Sequence, residues 1–289
     1  MPKADSSGKC ALVGSLSDII TPPASELGEI APVVSTLPED LFSQSPAAGA
    51  PILQKYLDSL PAEDRYAAFE PLVREHWKWL CRAAPYLKFP EPKPILEGQK
   101  INIGLRSWRM TGGGTERVMQ LLANHFAEDP RYHVTVFIDA GQIKRIDYPL
   151  HGNVTVIEVK SAEGINWREI IGKYPQNLVL CPQYSQEKNA QNILLLKFLG
   201  VHILAQEHNC LFASSSFRGN EKFSHLSHLY SACDAVSCLS RVDAYKWQKE
   251  GTKNSIFLPN PPTFDPNSVT PSTLESNNIL WVGRWDPRQ

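Results

Sequence analysis

Ile101-Asn-Ile-Gly-Leu105, followed by Gly112-Gly113-Gly114 running into Thr115-Glu116-Arg117-Val118, is the stretch on which the fold turns. An apolar, β-branched run, a glycine turn and an apolar periodicity of three and four predict a strand, a tight loop and a helix. The helix is expected over 115–128, with Val118, Leu121, Leu122 and Phe126 inward. Further strands are expected at His133–Ile138, Val154–Val159, Leu178–Cys181, Val201–Ala205, Asp234–Cys238 and Ser255–Leu258. Helices are expected near 187–199 and 242–249. Short, continuous apolar strands alternating with helices predict an α/β domain, a Rossmann-like doubly wound parallel sheet covered on both faces.

Outward from that core the chain changes character. Residues 1–50 are rich in Ser, Pro, Ala and Gly without sustained periodicity, and read as a flexible leader. Residues 51–98 read as a helical segment and a connector. Phe69, Leu72, Val73, His76, Trp77, Leu80, Cys81 and Ala84 share one helix face, opposite Glu70, Arg74, Glu75, Lys78 and Arg82. The two tryptophans and the basic residues raise a peripheral membrane contact. Packing against the following domain is the competing reading, since Glu70 and Glu75 dilute the basic face. Three prolines in Phe89-Pro-Glu-Pro-Lys-Pro94 then make a stiff connector. The α/β domain spans 99–262. Residues 263–289 read as a linker and the first strand of a further domain, Asn278-Ile-Leu-Trp-Val282, which a lone strand cannot complete.

Bulk composition narrows the function. Of 289 residues 42% are hydrophobic, enough for a large core, and 29 Lys and Arg face 30 Asp and Glu. That balance gives no basic face for nucleic acid, so no nucleic-acid partner is expected. The six cysteines, Cys10, Cys81, Cys181, Cys210, Cys233 and Cys238, contain no Cys-x-x-Cys pair on which a zinc or dithiol site would converge. They read as reduced thiols of a cytosolic protein, and no metal site is expected. Neither a secretory signal nor a membrane span is apparent, because the longest apolar stretch, Ile193–Ala205, is interrupted by Lys197, Gly200 and His202.

Gly112, Gly113 and Gly114 stand where open α/β sheets bind ligands, after a strand and before a helix N-terminus. Backbone N–H groups there approach a phosphate closely, and the helix adds its positive end. A ligand-free structural turn is the competing explanation. The dinucleotide fingerprint fails, since counting from Gly112 puts Arg117 at the third glycine, although Asp139 ends the second strand where a ribose-binding acid would sit. No Walker Gly-Lys-Ser/Thr occurs in that context.

The motifs then align with a known family. Gly112-Gly-Gly-Thr-Glu-Arg-Val118 resembles the opening of family 4 glycosyltransferases of the GT-B fold. In the same order, Gln206-Glu-His-Asn209 resembles their acidic-His motif. Cys233-Asp-Ala-Val-Ser-Cys-Leu-Ser240 resembles the segment leading to the last N-domain helix. Ile256-Phe-Leu-Pro-Asn-Pro261 resembles the interdomain crossing, and Ile279-Leu-Trp-Val-Gly-Arg284 the first donor-domain strand. The resemblance covers about Lys100 to Gln289. It implies a retaining, metal-independent transfer of sugar from a nucleotide-sugar, a co-substrate rather than a cofactor, to a sugar or lipid-linked acceptor. By the same resemblance Gly112, Gly113, Gly114 and Arg284 face donor phosphates, and His208 lines the cleft near the transferred sugar. Glu207 orients that histidine or contacts acceptor, and Glu116 and Arg117 reach acceptor. The family's donor-domain lysine and Glu-x7-Glu element do not occur before Gln289, so this chain alone is expected to be a truncated, inactive transferase. A non-catalytic acceptor-binding or regulatory module, or a pseudogene product, is the alternative. The implied location is cytoplasmic, with a peripheral place at the inner membrane face for the aromatic-basic helix.

Overall fold

The computed structural model describes residues 36–160, 164–182, 186–210, 225–252, 254–262 and 266–268, together with positions 270 and 275. Seven strands form one sheet: β1 (Ile101–Arg106), β2 (Tyr132–Asp139), β3 (Val154–Val159), β4 (Leu178–Pro182), β5 (His202–Glu207), β6 (Ala235–Cys238) and β7 (Ser255–Phe257). Their order is β3-β2-β1-β4-β5-β6-β7, and every neighbouring pair is parallel. The chain walks outward from β1 to β3, then returns to the other side of β1 for β4. That reversal is the switch point at which loops on adjacent strands diverge and leave room for a ligand. All seven strands expected between 101 and 258 are present, so the doubly wound Rossmann-like sheet stands.

Helices cover both faces. α1 (Pro46–Ser59) and α2 (Ala62–Ala83) form an N-terminal hairpin, and α3 (Gly114–Glu128) follows β1. α4 (Trp167–Lys173) and α5 (Gln186–Phe198) precede a helix described over residues 225–232, here α6, and α7 (Arg241–Lys249) joins β6 to β7. Alternation along the strands splits the core. Val134, Val136 and Ile138 of β2 pack with Met119, Ala123 and Ala127 of α3, whereas Phe137 points into the larger cluster with Trp167 and α5. The inward face of α3 is therefore Val118, Met119, Ala123 and Ala127. Leu121, Leu122 and Phe126, expected inward, are only partly buried.

Structure begins earlier than the composition suggests. Ser45 caps α1 by accepting from Ala48 N, Pro46 occupies the first turn, and Leu41, Gly49 and Ala50 are buried inside the stretch read as leader. The hairpin packs on the sheet through α2 and α5, where Phe69 stacks on Phe198 with ring centroids 4.2 Å apart. A non-helical His76 (φ −115°, ψ 27°) offsets the second half of α2. Trp79 is buried, donating from Nε1 to Gln44 O at 2.9 Å, and the half-buried Trp77 tilts against His225. Both tryptophans are thus engaged in packing, the competing reading of this helix. The proline connector runs past Gly200 (φ +70°), where a Cβ would stand 3.3 Å from Glu91 O.

Among the described residues, no helix is long and apolar enough to cross a membrane. Cys81, Cys181, Cys210, Cys233 and Cys238 are free thiols, all but Cys210 buried, and burial pushes the Cys181 thiol up to about 12. The expected strand at 278–282, with Arg284, lies outside the described residues.

Candidate functional site

Register sets the site. Leu105 of β1 pairs with Leu180 of β4, which pairs with Leu204 of β5. The loop after β1 and the turn after β5 therefore open at the same end of the sheet, β5 running two residues further, on strands about 10 Å apart at the usual interstrand spacing. The β1 loop is pinned throughout. Ser107 N donates to Phe137 O at 2.9 Å, Asp139 N to Trp108 O at 3.2 Å, and Asp147 N to Met110 O at 3.1 Å, with Met110 fully buried beneath.

The three glycines differ in what they do. Gly112 has φ +56°, the left-handed turn that only glycine adopts without strain, with the Asp147 carboxylate 3.8 Å from where a Cβ would be. Gly113 is the extended N-cap of α3 (φ −115°, ψ 156°). A Cβ on it would collide with Oε2 of Glu116 and stand 2.7 Å from its Cδ. Gly114 begins the helix, and a Cβ there meets nothing within 4 Å. Among the described residues no contact requires glycine at 114; the open space lies beside the helix N-terminus.

The Glu116 side chain turns inward. It is buried, folded back over Gly113, and accepts from Arg109 Nε at 3.2 Å. A glutamate at this third helical position commonly returns to the cap, and its charge suits the helix's positive end. Arg117 is half-buried, its guanidinium 5.1 Å from the Tyr148 ring and bonded to Gln120 Oε1 at 2.9 Å. The exposed cation is Arg109, whose side chain is 43% exposed, a residue the sequence did not single out. Asp139, where a ribose-binding acid would sit, is instead buried in an ion pair with Arg106.

Glu207 and His208 end β5. Glu207 is buried, accepting from Tyr230 Oη at 3.0 Å and from Asn209 N at 3.1 Å. These bonds tie the carboxylate to the 207–209 turn that carries His208. Burial pushes the His208 imidazole down to about 4, so the ring is neutral at pH 7, and its buried Nε2 has no partner among the described residues. A buried ring nitrogen without a partner is costly unless something else bonds to it. Gly112, Gly113, Gly114 and His208 thus share one end of the sheet. Arg284 lies outside the described residues.

No protein-family model and no curated protein matches the chain. Among solved structures it is similar to a sucrose-phosphate synthase from Thermosynechococcus elongatus, at 12% identity and TM-score 0.44, over 55% of this chain and 48% of that one. It is also similar to a mutant O-GlcNAc transferase from Thermobaculum terrenum, at 10% identity and TM-score 0.39, over 76% and 42% respectively. The chain thus spans less than half the length of either, and likeness at this level identifies no residue or substrate.

Proposed function

We propose that the described domain is the acceptor side of a nucleotide-sugar-dependent glycosyltransferase of the GT-B type. The observation carrying this is the open space at Gly114, on a helix N-terminus at the sheet's switch point. The ordered sequence motifs add the reaction class. A departing nucleoside diphosphate gains negative charge in the transition state, so N–H groups at the start of α3 act on the barrier itself. Arg284 is proposed to add a second positive group from the donor side. His208, neutral, is a hydrogen-bonding partner for a sugar hydroxyl and not a proton donor at pH 7. Retention, independence from metal, a sugar or lipid-linked acceptor and a cytoplasmic place belong to the same proposal.

The test pairs binding with transfer. UDP and GDP are titrated calorimetrically into the purified chain and a Gly114→Ala variant, and both are assayed with labelled UDP- and GDP-hexoses. Nucleotide binding that the alanine abolishes supports the reading, with no transfer expected from this chain alone; binding indifferent to it, or none at all, overturns it. A non-catalytic acceptor-binding module is favoured by one observation: the carboxylates of Glu116 and Asp147 border Gly113 and Gly112, where they would repel a diphosphate. That reading expects sugar binding without nucleotide binding.

A further inference from the structure

Trp108 and Arg109 stand out at the same end of the sheet. Trp108 is 50% exposed. Large aromatic side chains usually find cover, and this one belongs to a backbone segment held at Ser107, Trp108 and Met110 by bonds to β2 and the following loop. Its exposure is therefore a property of a fixed loop.

Arg109 is fixed as well. Its Nε donates to the buried Glu116 carboxylate, and its Cζ lies 5.1 Å from the Trp108 ring centroid, within cation–π range. Those two contacts orient the guanidinium while using only one of its nitrogens. Nη1 and Nη2 have no protein partner among the described residues, on a side chain 43% exposed. A guanidinium held by Nε presents a planar pair of donors, the arrangement that fits two oxygens of a phosphate or carboxylate. Beside it, the apolar indole suits the C–H face of a sugar ring. Both residues immediately precede the glycine loop and leave the sheet at the same end as Glu207 and His208.

We propose that Trp108 and Arg109 form a platform for an anionic saccharide, the indole taking the ring and the two Nη groups taking a phosphate or carboxylate on it. This rests on the acceptor-side reading above and gives that acceptor a chemical class. Arg109 acts on the ligand directly, while Glu116 acts through it as a positioning residue. That assigns Glu116 a part in acceptor recognition without any contact to acceptor.

The probe is the Trp108 indole N–H signal in proton–nitrogen correlation spectra, identified among the seven tryptophans by its loss in Trp108→Phe. Glucose 6-phosphate, glucuronate, methyl glucoside and inorganic phosphate are titrated separately, with no nucleotide present. At least one of the first two is expected to shift the signal saturably, and which one does so decides between phosphate and carboxylate. Methyl glucoside and inorganic phosphate are expected to bind at least about tenfold more weakly, a difference of about 1.4 kcal/mol. Arg109→Gln should erase the preference for the anionic sugar. Arg109→Lys, which keeps a charge near Glu116, should retain part of it, and thermal melts of both variants establish that they are folded. Equal shifts with methyl glucoside, or none with either anionic sugar, would overturn the platform. A chain that binds anionic sugar but no nucleotide loses the donor proposal alone.

Discussion

Replacing Gly113 by alanine tests how the glycine loop is closed. The backbone at 113 is extended, so alanine meets no conformational penalty, and any cost must come from the new methyl group. That methyl would displace the Glu116 carboxylate, whose Cδ must retreat from 2.7 Å to an ordinary contact of about 3.5 Å. Retreat breaks the bond to Arg109 Nε. A half-exposed pair of this kind contributes roughly 0.2–1 kcal/mol, and a buried carboxylate left without its partner costs about 1–3 kcal/mol more. Exchanging glycine for alanine at an N-cap adds about 0.5 kcal/mol. The sum is about 2–4.5 kcal/mol, measurable as a lowered midpoint in urea unfolding at constant slope. In a Glu116→Ala background the collision has no target, and only the cap cost of about 0.5 kcal/mol should remain. Four unfolding curves close the cycle. A coupling below about 0.5 kcal/mol, which is what independent sites show, would refute this account of Glu116.

Other perturbations test other parts. Gly114→Ala should leave the unfolding midpoint unchanged or slightly raised, since alanine there meets nothing and favours helix. A loss above about 1 kcal/mol would mean that the space is needed by the fold. His208 titrates near 6.5 when unfolded and near 4 when folded, so its contribution is complete above pH 6.5 and declines as pH falls toward 4. The decline amounts to at most about 3 kcal/mol, and His208→Gln should flatten that limb of the stability–pH curve. Asp234 accepts from Lys197 Nζ at 2.9 Å and Ile203 N at 2.7 Å, and lies 3.0 Å from His202 Nδ1. These bonds outweigh burial and hold its carboxyl below the usual range, so its stabilisation is present above pH 4 and lost in acid. Asp234→Asn should cost about 3 kcal/mol at pH 7 by stranding the buried Lys197, and much less at pH 3, by the same unfolding assay. Gly49→Ala puts a Cβ 2.6 Å from Trp79 Cζ2, so overpacking of about 1–3 kcal/mol should exceed the helix-propensity gain of about 1 kcal/mol.

The sheet was legible in the sequence because its strands are short, apolar and separated by turn residues, and because the longer helices after 100 sit between two of them. α4 was not, having only seven residues, and neither was the start of α1. Ser45-Pro-Ala-Ala-Gly49 has the composition of a linker, yet Gly49 is there because Trp79 packs against it. The small residues on the inward face of α3 were missed for a related reason. Ala123 and Ala127 carry little hydrophobic signal but permit close approach to β2, and the expected Leu122 and Phe126 pack beside them only partly buried. At the site, the position of Gly112 to Gly114 and of His208 followed from motif order. The role of Glu116 did not. Its partner Arg109 lies seven residues earlier in a loop, where no helical spacing points to it. Likewise the seal on Glu207 comes from Tyr230, 23 residues away on another helix.

The stacking of Phe69 on Phe198 has a consequence for how the chain is made. These rings are about 130 positions apart, so at roughly 5–20 residues per second the hairpin leaves the ribosome 6–26 s before α5 exists. During that interval α1 already lies against α2, but Phe69 lacks the ring on which it stacks. The N-terminal hairpin is therefore the part of this protein most in need of a chaperone's hold during synthesis. Slowing translation between α2 and α5 should lower the yield of soluble protein more than slowing it after α5.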